Sequence, residues 1–188
     1  MKNVCNPVKL LLMLLSGLFF LWGQKVYAMD VNIHITGVVY IPPCKINGND
    51  TEIQVSFKQI SLHEIDGYNN AVTKTVSVNC DFYLGTPYIR MDGIVLPGAG
   101  ENVLKTTGVN ASILGIALYQ GGEVNNSYPL RIGAGAQGKY GYKVTRGLTG
   151  KNTSKEQFTF TAVPRKYGSE ALKAGAFSAT ATMSISYL

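Results

Sequence analysis

Apolar side chains fall at every second position between residues 31 and 41. They are Val31, Ile33, Ile35, Val39 and Ile41, with Gly37 in the same register. A period of two places all of them on one face of an extended strand. The stretch stops at Pro42-Pro43-Cys44. A strand with one apolar face must join a sheet, and the pattern does not say whose. Gly37 has two readings at this level. It fits a shallow contact where a larger side chain would clash, or it permits a bulge in a self-paired strand.

The same period returns at the other end of the chain. Phe177, Ala179, Ala181, Met183, Ile185 and Tyr187 alternate with Ser178, Thr180, Thr182, Ser184 and Ser186, and Leu188 follows. Alternation and β-branched content predict further strands over residues 52–57, 72–79, 88–91, 112–119, 128–132, 140–145 and 157–162. Turn signals divide them, among them Asn47-Gly48-Asn49-Asp50, Asp66-Gly67, Pro97-Gly98, Gly121-Gly122 and Gly150-Lys151-Asn152. Residues 169–173 read as a brief helical turn. Short strands with Gly-rich turns point to an all-β sandwich of one domain. Two arrangements stay open: the terminal strands pair with each other and close the sandwich, or they do not.

The first residues change the picture of compartment. Lys2 and Lys9 form a basic stretch ahead of an apolar run from Leu10 to Trp22, and Val26-Tyr27-Ala28 offers a cleavage site. This is the layout of a secretory signal peptide over residues 1–28. The run is shorter than the roughly 20 apolar residues of a membrane-spanning helix. Cys5 precedes the apolar core, unlike a lipoprotein cysteine. Removing Lys2, Lys9 and Lys25 from 17 basic residues leaves 14 against 11 acidic ones. So modest an excess, without a basic cluster interleaved with aromatics, argues against nucleic-acid binding. With Cys5 gone, Cys44 and Cys80 remain, and an even pair in an exported chain reads as one disulfide. A metal site needs a further Cys or His at ligand spacing, which neither has.

Enzyme chemistry finds little support. The histidines are His34, on the polar side of the first strand, and His63, in a loop-like stretch. No G-x-S-x-G elbow and no His-containing metal motif occurs. Gly133, Gly135 and Gly138 match G-x-G-x-x-G, but the residues that follow read as a strand. The dinucleotide motif requires a helix there. No catalytic residue, cofactor, metal or small-molecule substrate is expected.

Gly175 stands fourteenth from the C-terminus, ahead of an alternating final strand with a penultimate Tyr187. This resembles the C-terminal motif of chaperone–usher pilus subunits. The alternating stretch with Gly37 in register, followed by Cys44, resembles their donor strand. Further matches are GVVYIPPCKING (37–48), VTKTVSVNC (72–80), LGIALYQGG (114–122), GYKVTRGL (141–148) and FTFTAVP (158–164). They are most similar to the minor tip-fibrillum adaptors of P pili.

The resemblance implies an incomplete immunoglobulin-like β-sandwich that lacks its last strand. It divides the chain into a signal peptide (1–28), a donor extension (29–43) and a pilin domain (44–188). It implies a periplasmic pilus chaperone, an outer-membrane usher, a tip adhesin and the next pilus subunit as partners. The destination is the surface fimbrium of a Gram-negative bacterium. Val31, Ile33, Ile35, Gly37, Val39 and Ile41 would enter a neighbour's groove. Each well-buried Val or Ile contributes roughly 1.5–3 kcal/mol before ordering costs. Gly175, Phe177, Ala179, Ala181, Met183, Ile185, Tyr187 and Leu188 would border this subunit's own groove and meet the chaperone. Basic residues of the chaperone would hold the Leu188 carboxylate. The rival function is a one-domain adhesin, or another tip or rod pilin, that binds a host receptor itself.

Overall fold

The computed structural model describes residues 31–188. The expected signal peptide, and Met29 and Asp30, lie outside the described residues. Nine strands follow in chain order: β1 Lys45–Ile46, β2 Val72–Asn79, β3 Pro87–Gly93, β4 Val103–Lys105, β5 Leu114–Gln120, β6 Tyr142–Lys143, β7 Leu148–Thr149, β8 Lys155–Lys166 and β9 Ala181–Tyr187. They form two antiparallel sheets. One runs β1-β2-β8-β5-β4, with β7 also on β8, and the other runs β6-β3-β9. The fold is an incomplete immunoglobulin-like sandwich.

Strand β2 forms where the alternation predicts it. Val76 and Val78 are buried, while Thr73, Thr75, Ser77 and Asn79 are exposed. Its partner β8 is longer than the predicted 157–162. Along its first half Glu156, Phe158 and Phe160 point inward, and from Phe160 to Pro164 every residue is buried. There β8 is covered on both faces. A second cluster of Leu96, Val103, Ala117, Tyr119 and Val163 packs opposite the main core. Pro164 ends the sequence pattern without ending the strand. It lies beyond the last β2 pair, Val72 with Ala162, where β5 is the one strand beside β8 and the opposite edge has the isolated Asp66–Arg165 bridge. A missing donor is tolerated at such a place. Strand β5 is buried at all seven positions, which is why alternation misjudges its limits.

Several expected elements are absent or shorter. Residues 52–57 and 128–132 form no regular strand, the 140–145 strand shrinks to Tyr142–Lys143, and 169–173 forms no helical turn. The 128–132 segment still pairs locally: Leu130 donates to the Leu118 carbonyl at 3.0 Å, and Gln120 donates to that of Tyr128 at 2.8 Å. The short β4 and β7 carry too few residues to show a period. Cys44 and Cys80 are joined as a disulfide between residues 36 apart, beside the β1–β2 pair.

Candidate functional site

Residues 52–57 have the strand pattern without the strand. Ile53, Val55 and Phe57 are half-buried against the main core, while Glu52, Gln54, Ser56 and Lys58 are exposed. The segment is extended and one-sided, yet its backbone joins no sheet. Only Lys45 and Ile46, upstream of it, pair with β2.

A second ladder faces the same core. Phe177, Ala179, Ala181 and Met183 are half-buried and packed against it, alternating with exposed Ser178, Thr180 and Thr182. Its regular part is β9, which pairs with β3 along one edge, from Pro87 opposite Tyr187 to Gly93 opposite Ala181. In the order β6-β3-β9 the other edge of β9 has no strand partner. Only near its end does that edge gain a bond: the Cys44 amide donates to the Ile185 carbonyl at 2.7 Å. The predicted strand 177–187 is therefore regular only from Ala181, because β3 ends at Gly93 and leaves residues 177–180 no strand to join.

Three residues without a sequence signal hold that stretch instead. The Thr107 amide donates to the Ser178 carbonyl at 2.8 Å, and the two hydroxyls lie 2.7 Å apart. Asn110 is buried and reads both main-chain groups of Lys173. Its Nδ2 donates to the Lys173 carbonyl at 2.7 Å, and its Oδ1 accepts the Lys173 amide at 2.9 Å. Gly108, at φ +89°, lies so close to the Ala176 carbonyl that no Cβ would fit. The predicted Gly175 is close-packed as well: a Cβ there would come within 2.8 Å of Val109 Cγ2.

The two ladders meet at Phe57 and Phe177, whose ring centroids are 6.1 Å apart. Beyond that contact a cavity of about 740 Å³ opens, lined by Ile60, Leu62, Ile65, Leu114, Phe177 and the lysines 58 and 173. The site thus has two apolar alternating rows on one core, one strand edge without a strand partner and a pocket at one end. Such an arrangement offers what strand binding uses: main-chain groups for hydrogen bonds and apolar contacts at every second position.

At the opposite end Ile185 and Tyr187 are fully buried. The Tyr187 hydroxyl donates to Oε1 of Glu156, itself only 3% exposed, and Oε2 of that carboxylate is buried with no hydrogen-bond partner. Burial pushes the Glu156 carboxyl up from its ordinary value, outweighing the hydrogen bond from Tyr187, and it pushes the Tyr187 hydroxyl up too. Leu188 continues the β3 pairing. Its amide donates to the Thr86 carbonyl at 3.0 Å, and one C-terminal oxygen accepts the Thr86 amide at 2.7 Å. Part of the carboxylate expected to await a basic cleft is therefore engaged within the chain. Glu156 gives no sequence signal beyond its inward register on β8.

The other predicted set lies in residues 31–41. Val31, Ile33, Ile35, Gly37 and Val39 lie in an extended, exposed stretch that forms no strand, and Ile41 is half-buried where the chain reaches the body. No atom lies within 4 Å of a Cβ built on Gly37. His34 and His63 are exposed. Among the described residues no three His, Cys, Asp or Glu side chains gather as a metal site, and no helix is long and apolar enough to cross a membrane.

Comparisons with known proteins agree with this architecture. A family model described as fimbrial protein matches residues 33–188. The fimbrial adapter PapF of Escherichia coli is 44% identical over 158 residues, covering 84% of this chain and 88% of the relative. The minor fimbrial protein PrsF of Escherichia coli is 42% identical over the same shares. The solved P pilus adaptor subunit PapF superposes with a TM-score of 0.53 at 36% identity, covering 79% of this chain and 98% of that one. The match spans nearly all described residues and exceeds half of the chain, so this protein belongs to the fimbrial protein family.

Proposed function

We propose that this chain is a minor adaptor subunit of a chaperone–usher pilus, joining a tip adhesin to the tip fibre by exchange of strands. Its role is structural, without catalysis. One observation carries the reading. The body has two half-buried alternating rows beside a β9 edge that no strand pairs, and the same chain carries an exposed alternating stretch, residues 31–40, that joins no sheet. Val31, Ile33, Ile35, Val39 and Ile41 enter the crevice of the subunit ahead, with Gly37 where that crevice is shallow. The chain's own crevice, bordered by 52–57 and 175–188, is filled first by a strand of the periplasmic chaperone and then by that of the next subunit. The order suits the physics. An unpaired edge beside exposed core is an aggregation hazard until covered. PapF, described as an adaptor subunit, supports the adaptor role.

The test is co-purification. Deleting residues 30–41 leaves the periplasmic chaperone complex intact and abolishes attachment to the subunit ahead. If attachment survives the deletion, the exported-strand assignment is wrong. Binding of a host glycan or matrix protein by the chaperone-free, strand-filled body would favour the adhesin instead.

A further inference from the structure

We propose that the loop after Cys80, with Phe82 and Leu84, and the C-terminal Leu188 form an apolar collar. This collar seats against the body of the subunit ahead, so that the joint is a docked contact as well as an inserted strand. The inference rests on the exported-strand reading of residues 31–41.

Chain length carries the argument. The alternating segment ends at Ile41 and the folded body starts at Cys44, which is bonded to Cys80 and donates to Ile185 of β9. Only Pro42 and Pro43 lie between. Three residue steps span at most about 10 Å, and two prolines hold them extended and stiff. If Ile41 is seated in a neighbour's crevice, the surface around Cys44 lies within side-chain reach of that neighbour.

That surface carries large apolar side chains, beside the exposed Lys45 and Asp81. The Cα atoms of Cys44 and Cys80 are 4.3 Å apart, so the loop 81–86 begins at the root of the extension. The loop ends at Thr86, which pairs with Leu188. Between these two anchors Phe82 is 41% exposed and Leu84 61%, and Leu188 beside them is 37% exposed. Gly85 lets the loop turn against the C-terminus, since a Cβ there would strike the Leu188 carboxyl. Both loop ends are thus fixed, one by a disulfide and one by two backbone hydrogen bonds. A fixed loop presenting two large apolar side chains toward a nearby body is a pre-organised contact, whose ordering cost is met within the subunit. The occupant is the rim of the crevice that receives this extension.

The experiment places a photo-crosslinking amino acid at position 84, 34 or 94 of the full chain in cells assembling the pilus. Ile94 is exposed just beyond the far end of β3, about 26 Å from Thr86 along the strand, and serves as the control. Crosslinks from 84 and 34 to one and the same subunit, with none to it from 94, support the collar. Crosslinking from 34 alone overturns the collar and leaves the exported strand standing. Crosslinking from neither 34 nor 84 overturns both. In support, the pair Phe82→Ser and Leu84→Ser makes the joint dissociate about tenfold faster without lowering recovery of the chaperone complex. An unchanged dissociation rate counts against the collar.

Discussion

Glu156 and Tyr187 form a buried acid–phenol pair at the main core. Burial raises the Glu156 carboxyl above its ordinary 4.5, so the folded protein holds this proton where the unfolded chain has released it. Stability from this group is therefore greatest below about pH 4.5 and declines as pH rises through the raised value. Urea midpoints between pH 4 and 8 should fall in the parent protein over that window, and Glu156→Gln should flatten the fall. Parallel curves would show that Glu156 does not titrate between the two states. Gly85 makes a second residue-scale prediction. At φ +114°, with the Leu188 carboxyl against it, Gly85→Ala meets both backbone strain and a clash. The expected loss is about 1–3 kcal/mol. Removing Leu188 in the same background should recover the steric part alone, a coupling that a double-mutant cycle reads directly.

Among the elements, the segment before β9 is the least conventional. Residues 173–178 hold their place without strand partners because Thr107 and Asn110 satisfy backbone groups that a strand would otherwise pair. Asn110→Ala leaves both Lys173 groups without these partners, at a cost of about 1–3 kcal/mol. Amide exchange at 173–178 should quicken while that of β2 and β8 is unchanged. Slow exchange at 173–178 in the variant would show that the segment does not depend on the clamp. The sequence pattern reads 177–187 as one strand because alternation reports a face and not a partner. The ladder 52–57 errs for the same reason: its apolar face is real, and no neighbouring backbone stands where its ladder would form.

At the scale of the molecule, a pilus subunit of this kind is a sandwich whose core is finished by another chain. A ligand that binds only the folded state adds stability by mass action, about 2.7 kcal/mol at one hundred times its dissociation constant. A synthetic peptide of residues 30–41, serving as a proxy donor, should raise the unfolding midpoint of the extension-deleted protein. The same peptide with Gly37→Leu should raise it less, through overpacking. Equal shifts from the two peptides would remove the special role of Gly37. The disulfide acts at this scale too. It sits where the chain entering the first sheet also bonds to β9 of the second. Cys44→Ser should cost about 3–4 kcal/mol for a loop of this length, measured as a lower urea midpoint under oxidising conditions. No change would show that the bridge does not constrain the unfolded chain.

The sequence by itself determined the strand-rich class, the cysteine pair, the inward face of the C-terminal strand and the limits of β2. Each of these depends on local period or on residue count, which a linear pattern carries in full. The tertiary structure alone decided which faces find partners. It left residues 52–57 and one edge of β9 without strand partners, and turned Asn110 and Thr107 into fasteners of the stretch before β9. It also placed Glu156 under Tyr187, and Gly85 against the C-terminus. Those are contacts between residues 31 to 103 positions apart in the chain, and no period in a sequence encodes a distance across a fold.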